Sequence, residues 1–134
     1  MFNTITTSPE NKIVITHLTN KLGLGAENVI ARLAFAYSLA KGKQLDLKSV
    51  KEGQGKTYSA KVLFGNHIDI YMAMLCELYG IASNDKDIPK YVKLHIDHGL
   101  QEMEPYANND GMDFVMRCIE QGLSEAETFS VKQN

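Results

Sequence analysis

The residues best suited to chemistry in this sequence are the lysines and glycines of KEGQGKT, residues 51–57. The last three letters resemble the end of a nucleotide-binding P-loop, whose pattern G-x-x-x-x-G-K-[ST] cradles phosphates on backbone N–H groups. With Gly55 as the second glycine, the pattern needs glycine at position 50, where this chain has Val50. The flanking residues also lack the buried strand and the helix start that such a loop requires. We therefore interpret the stretch as a lysine-rich surface loop.

The charge of the chain is unevenly distributed. The net charge is −2. Residues 1–61 hold nine basic and four acidic side chains, a charge of +5, and the remaining residues hold five basic and twelve acidic ones, a charge of −7. Such asymmetry indicates a surface that faces a polyanion, beside an acidic remainder. The alternative is that the lysines only decorate a solvated surface.

Histidine and aspartate occur together in a tripeptide that appears twice, at His67–Asp69 and His95–Asp97, the second followed by His98. Within a helix, residues i and i+2 point about 200° apart, so His95 and Asp97 cannot converge on one ion. A catalytic zinc ion also needs three protein ligands. We expect His95 to pack in the core with one hydrogen bond, and Asp97 and His98 to lie outside it. No metal site and no cofactor are predicted.

Candidate nucleophiles are equally weak. Cys76 lies within an apolar run, which favours an inert buried thiol, and no G-x-S-x-G turn exists. Cys118 is 42 positions from Cys76, a spacing that forms no metal pattern. No catalytic residue is predicted, so an enzyme is not the favoured interpretation. A hydrolase or nickase that uses the His and Asp groups remains an alternative.

Helix signals dominate the chain. Ser8-Pro9-Glu10 is typical of a helix start and Gly23 of a helix end. Further helices are predicted at about 26–41, 66–79 and 87–103. The helix at 66–79 is expected to be capped by Asn66 and to be central, because it is apolar nearly all round. The fold class is mainly α: a compact helical single domain of four to five helices with an irregular Lys/Gly-rich section.

Two local alternatives concern the extended segments. Residues 43–65 could form a hairpin with Gly53–Gly55 at its tip. The extended NTITT followed by two helices also has the outline of a ribbon-helix-helix DNA-binding unit, in which the N-terminal strands of two chains pair and Thr4 and Thr6 point outward.

The end of the chain differs from the rest. We divide the chain into a helical DNA-binding domain, 1–104, and an acidic C-terminal extension, 105–134, with a short amphipathic helix. Residues 101–134 carry a charge of −5. The apolar stripe of that helix is expected to dock on the domain or on a neighbouring subunit, and consists of Met112, Val115, Met116, Ile119 and Leu123.

Several segments, in the same order along the chain, resemble the DNA sulfur modification protein family DndE. Its members belong to bacterial systems that place phosphorothioate in the DNA backbone. These segments are TSPENK, LGLGAENVIARLAFAYSLAKGKQLDL, LFGNHIDIY and YVKLHIDHGL, within about residues 7–100. The resemblance implies a non-enzymatic subunit that works beside a sulfurtransferase-like protein and an ATPase. It also implies tetrameric assembly and binding of double-stranded DNA, with a preference for nicked duplex.

The DNA contacts that the resemblance implies are made by surface lysines. Lysine binds phosphates without demanding one geometry, and five such contacts give a slope of about −4 to −5 in log K against log salt. Two roles stay open for Arg32: it contacts DNA, or it forms a structural ion pair with Glu27. The candidate DNA-binding residues are Lys21, Lys41, Lys43, Lys48, Lys51, Lys56 and Lys61.

A second function class stays open: a protein–protein adaptor within the modification complex that never touches DNA, favoured by the Met-rich faces and the acidic tail. No apolar run reaches 18 residues and no signal-peptide pattern opens the chain, so we predict a cytoplasmic protein without a membrane span.

Overall fold

A computed structural model describes residues 2–51, 54–107 and 110–133, with side chains described up to residue 124. It confirms the mainly helical class: the described residues hold five helices of twelve residues or more, one short helix and a two-stranded sheet. The elements in chain order are β1 (Thr4–Thr6), α1 (Pro9–Leu22), α2 (Glu27–Ala40), β2 (Thr57–Ser59), α3 (Ala60–Phe64), α4 (Ile68–Tyr79), α5 (Ile88–Met103) and α6 (Gly111–Gln133), joined in part by 3-10 turns at Leu47–Ser49, Gly65–His67 and Glu104–Tyr106.

The predicted boundaries of α1 follow from local chemistry. Ser8 is extended before the helix, Pro9 supplies a fixed φ at the first helical position, and Glu10 favours the positive end of the helix dipole. Gly23 ends the helix at φ 63°, a left-handed conformation that glycine adopts without strain.

The core is built around α2 and α5, which pack directly against each other. Phe35 of α2 and Ile96 of α5 are fully buried. The two helices approach so closely at Gly99 that an added Cβ would overlap the backbone carbonyl of Ala34. Glycine at this position therefore sets the distance between the two central helices.

The prediction that α4 is central is wrong. Only Met72 and Leu75 of this helix are buried, whereas Ile70 and Met74 are 59% and 44% exposed. The helix starts at Ile68, two residues after the predicted cap, because a 3-10 turn precedes it. Its all-round apolar character does not lead to burial, because α2 and α5 already occupy the centre.

The small sheet also differs from both sequence alternatives. β1 and β2 pair antiparallel, with Ile5 opposite Tyr58. The strand at 57–59 thus joins the N-terminal strand instead of closing a hairpin at Gly53–Gly55, of which Gly53 lies outside the described residues. A ribbon-helix-helix unit needs its N-terminal strand to pair with a second chain, and here the partner is β2 of the same chain.

The C-terminal helix, α6, extends over 23 residues, longer than the short helix predicted. It packs on the domain through Phe114, which is 2% exposed, and not through the predicted stripe, most of which faces solvent. The division at residue 104 stays a prediction. No helix within the described residues is long and apolar enough to span a membrane.

Candidate nucleic-acid interface

The seven candidate lysines do not form one compact patch. Lys51 pairs with Glu10 in the first turn of α1, at 2.7 Å, while Lys21 lies in the last turn of that helix. Eleven residues of helix separate Glu10 from Lys21, a distance of about 16 Å. Lys56 likewise pairs with a residue at the start of α2, whereas Lys41 follows its end. The lysines are therefore distributed over both ends of the first two helices.

Two of the seven lysines are partly neutralised. The Lys51–Glu10 pair is highly exposed, and Lys56 lies 3.6 Å from Glu27. The exposed Lys51–Glu10 pair is weak because water and salt screen it, whereas the Lys56–Glu27 pair is half-buried. The other five form no ion pair with a described residue, and they are Lys21, Lys41, Lys43, Lys48 and Lys61.

The lysine-bearing segment 43–51 is attached to the helical core. The Gln44 side chain donates to the carbonyl of Leu78 at 3.0 Å, and the Leu45 N–H donates to the Tyr79 hydroxyl at 2.8 Å. At the other end, the Lys93 ammonium donates to the carbonyl of Lys51. The position of the segment thus depends on α4 and α5.

A hydrogen-bond chain, buried in its middle, continues from this anchor. The Tyr79 hydroxyl lies 2.7 Å from Nε2 of His95, and Nδ1 of His95 lies 2.7 Å from Ser38 Oγ. Ser38 Oγ in turn lies 2.8 Å from Nδ1 of His98, whose Nε2 lies 3.3 Å from a carboxylate oxygen of Glu102. One assignment satisfies every group: each hydroxyl donates to the next imidazole, and each imidazole donates onward by its other nitrogen.

His95 therefore is a core residue, as predicted, but with two hydrogen bonds in place of one. Burial, and after it the nearby His98, lower its pKa from 6.5 to about 4. The ring is neutral at pH 7, which the hydrogen-bond chain requires.

Asp97 and His98 are only half-buried and lie outside the fully buried core, as expected, but both make hydrogen bonds to it. One oxygen of Asp97, Oδ1, accepts hydrogen bonds from the Ser8 N–H at 3.1 Å, the Ser8 hydroxyl at 3.3 Å and the Asn11 amide at 2.7 Å. Asp97 thus fixes the start of α1 on α5, and His98 joins the hydrogen-bond chain. Among the described residues, no group of three or more His, Cys, Asp or Glu side chains is placed to hold a metal ion.

Arg32 is structural, although not through Glu27. Its Nε donates to the carbonyl of Leu63 at 2.6 Å and one terminal nitrogen to that of Val62 at 3.1 Å. The other arginine of the chain, Arg117, lies over the ring of Tyr106 at 4.6 Å. Both guanidinium groups therefore have intramolecular partners.

The structure adds a surface that the sequence did not predict. Because Ile5 and Tyr58 point into the core, the opposite side of the sheet carries only hydroxyl side chains. Thr6 and Thr57 lie 2.8 Å apart there. An open groove of about 240 Å³ borders β1 and is lined in part by two lysines of α5. We call this surface the hydroxyl–lysine face, and it consists of Thr4, Thr6, Thr57, Ser59, Lys90 and Lys93.

The outward orientation of Thr4 and Thr6 was expected only within the ribbon-helix-helix alternative, and Lys90 and Lys93 were missed. The two lysines lie in the acidic part of the chain, so the overall charge division gave no reason to select them. Their i, i+3 spacing on α5 was the available signal, since it places them on one side of a helix. Lys93 also touches Lys51 and so joins the face to the lysine-bearing segment.

Comparisons with known proteins agree on one family. A family model described as "DNA sulphur modification protein DndE" matches residues 4–110. A crystal structure of DndE from Escherichia coli B7A, involved in DNA phosphorothioation modification, is similar with a TM-score of 0.63 and 20% identity. A crystal structure of a DndE G21/24K mutant is similar with a TM-score of 0.64 and 19% identity. Each match covers 77% of this chain and 98% of the other. No curated protein matches significantly.

Proposed function

The chain belongs to the DndE family of DNA sulphur modification proteins, and we propose that it is the subunit that holds the DNA backbone during phosphorothioation. The proposed ligand is double-stranded DNA, with a preference for a nicked duplex. The proposed partners are further copies of the chain, assembled as a tetramer, and the other proteins of the modification system. The proposed location is the cytoplasm.

The observation that carries this proposal is the hydroxyl–lysine face. Threonine and serine hydroxyls and lysine ammonium groups are common donors to phosphate oxygens. The sheet holds its hydroxyls in a fixed pattern, because the strand register pairs Thr4 with Ser59 and Thr6 with Thr57. Lys90, which lies 3.8 Å from an oxygen of Asp87, and Lys93, which also donates to the Lys51 carbonyl, add positive charge at the edge of that pattern. A row of phosphates fits such a surface without any base contact.

The engagement of both arginines supports recognition of shape and not of sequence. Bidentate arginine is the commonest reader of guanine in the major groove, and Arg32 and Arg117 are both occupied within the chain. Lysines and hydroxyls contact the backbone, which carries no base information.

The seven dispersed lysines fit the proposal best in an assembly. A chain with net charge −2 and lysines on several sides has few contacts to offer from any one surface. Several subunits on one duplex would multiply weak contacts through their effective concentration. We propose that these lysines contact DNA from neighbouring subunits.

The test is a fluorescence anisotropy titration of nicked and intact duplexes at two salt concentrations. We expect Lys90→Gln/Lys93→Gln to weaken binding and to reduce the salt slope by about 2, one for each lost phosphate contact. The matched control is Lys12→Gln/Lys86→Gln, which removes the same charge outside the face and the seven lysines. Equal losses in both double variants, or binding that does not depend on salt, would count against the proposal.

A second candidate function is the adaptor without DNA contact. It is favoured by exposed apolar side chains, such as Ile70 and Met74 on α4. In that case the Lys90→Gln/Lys93→Gln variant would keep its place in the reconstituted modification complex, and no variant would change DNA affinity. Co-purification with the partner proteins, measured beside the anisotropy titration, separates the two functions.

A further inference from the structure

Helix α6 presents an apolar face to solvent. The side chains of Met112, Met116, Ile119 and Leu123 are 63%, 48%, 49% and 63% exposed. At 100° per residue these four positions lie within about 60° of one another, so they form one continuous stripe. We call this stripe the outer face of α6. Exposed stripes of this kind mark interaction surfaces more often than single exposed residues do.

The exposure does not come from a loosely attached helix. On the opposite side of α6, Phe114 is buried with its ring centroid 5.7 Å from those of both Tyr37 and Tyr106. At Gly111 the helix begins so close to α1 that a Cβ would overlap the carbonyl of Leu22. The docked side fixes the rotation of the helix and so leaves the outer face unpartnered.

This helix is also an addition to the family domain. The family match ends at residue 110, immediately before α6 starts. The similar DndE chain from Escherichia coli B7A is accounted for almost completely by 77% of this chain. The outer face of α6 therefore lies beyond the residues that the family model matches.

Gly122 is a second observation. Glycine within a helix is less favourable than alanine, yet a Cβ at Gly122 would meet nothing within 4 Å. The chain's own packing thus gives no reason for glycine at this position. By helical rotation it lies at one edge of the outer face, where it would let a neighbouring backbone approach closely.

We propose that the outer face of α6 binds the same face of a second copy of this chain, with the two helices parallel. The four apolar residues are spaced 4, 3 and 4, which is the seam of a coiled coil and is complementary to itself. Covering them removes about 400 Å² from each copy and about 800 Å² in total, which is below the area of stable specific interfaces and suits a weak, transient pair. The association is therefore concentration-dependent.

Charge selects the parallel arrangement. Asp113 and Glu120 lie along one edge of the outer face by helical rotation. At the other edge, Gly122 shares a groove of about 110 Å³ with Lys41. Parallel helices bring the acidic edge of each copy to the Lys41 edge of the other, whereas antiparallel helices bring the two acidic edges together.

The first test is the mass of the full chain by sedimentation over micromolar concentrations. We expect the mean mass of the wild type to double over the range, and Ile119→Lys to hold the lower value. Ile70→Lys, which places the same charge on a comparably exposed isoleucine of α4, is expected to behave as the wild type. If Ile119→Lys associated like the wild type, or if Ile119→Lys and Ile70→Lys lost self-association equally, the proposed interface would be wrong.

The second test fixes the direction by copper-phenanthroline oxidation of cysteine variants in a Cys76→Ser/Cys118→Ser background. Parallel pairing predicts that Met112→Cys alone forms a disulfide between two chains. Antiparallel pairing separates residue 112 of one copy from residue 112 of the other by about 16 Å. Met112→Cys would then cross-link only when it is mixed with the Leu123→Cys variant, and that result would overturn the proposed direction. Ile70→Cys is the matched control, and cross-linking at that position to the same extent would overturn the interface.

Discussion

The tripeptide His-Ile-Asp occurs at 67–69 and at 95–97, and the two copies have opposite structural roles. At the start of α4, His67 and Asp69 are exposed. In the middle of α5, His95 and Ile96 are fully buried, and Asp97 fixes the start of α1. The histidine is therefore exposed in one copy and buried in the other, and the isoleucine is half-buried in one and fully buried in the other. The comparison shows that the position of a helix in the fold, and not its local sequence, gives these side chains their role.

The largest expected effect tests why α5 is central. Gly99→Ala places a Cβ on the Ala34 carbonyl and must push α5 away from α2. We expect a loss of about 4 kcal/mol in the free energy of unfolding, or no folded protein. Urea denaturation measures this loss. Gly122→Ala, where a Cβ meets no atom, is the control and should be neutral or slightly stabilising; equal destabilisation of both variants would contradict the close packing.

The two histidines are the next comparison. His95→Ala removes a buried ring and leaves Ser38 and Tyr79 without their shared partner. We expect a loss of about 3 kcal/mol in the free energy of unfolding. His67→Ala, on the exposed copy, should change it by less than about 0.5 kcal/mol. Similar values for both substitutions in urea denaturation would remove the distinction between the two tripeptides.

The pH dependence sharpens the same contrast. The pKa of His95 is about 4 in the folded protein against 6.5 when unfolded, so the unfolded chain binds more protons between these values. The contribution of the neutral His95 ring to the free energy of unfolding is fully present above about pH 7 and is lost as pH falls towards 4. We expect a loss of about 2 kcal/mol between pH 7 and pH 5.

Chemical denaturation at several pH values measures this slope. His95→Gln should flatten it, whereas His67→Gln should leave it unchanged. A slope that survives in His95→Gln would assign the proton uptake to another group.

The aspartates give the smallest difference. Asp97→Asn keeps an oxygen that can accept from Ser8 and Asn11 but loses the charge that strengthens those bonds. We expect a loss of about 1 kcal/mol in the free energy of unfolding. Asp69→Asn, at the exposed start of α4, should cost no more than about 0.5 kcal/mol. Thermal or urea unfolding of the two variants side by side shows which one loses more free energy of unfolding. A larger loss in Asp69→Asn would mean that Asp97 is dispensable.

Much of the helical framework could be predicted from local sequence. The start of α1 at Pro9 and its end at Gly23 follow from backbone preferences that act within a few residues. The family could also be identified, because its segments occur in order along the chain. The environment of α4 could not, since an apolar helix is buried only if the centre is not already filled.

The candidate site shows the same limit. Thr4 and Thr6 were expected to point outward as part of the ribbon-helix-helix alternative, and they do so although the predicted pairing between two chains is wrong. Lys90 and Lys93 were missed, because only the packing of α5 beside β1 brings them to that surface. Lys51 was selected for its charge, and the structure adds that it is paired with Glu10 and touched by Lys93.

The sequence by itself determined where most helices begin and end, which residues are apolar or charged, and the family to which the chain belongs, because these depend on neighbours along the chain. Only the tertiary structure decided which His-Ile-Asp is buried, which strand pairs with β1 and which lysines lie together. Those outcomes depend on contacts between residues such as Asp97 and Ser8, 89 positions apart, which compete for one shared interior that no local stretch of sequence describes.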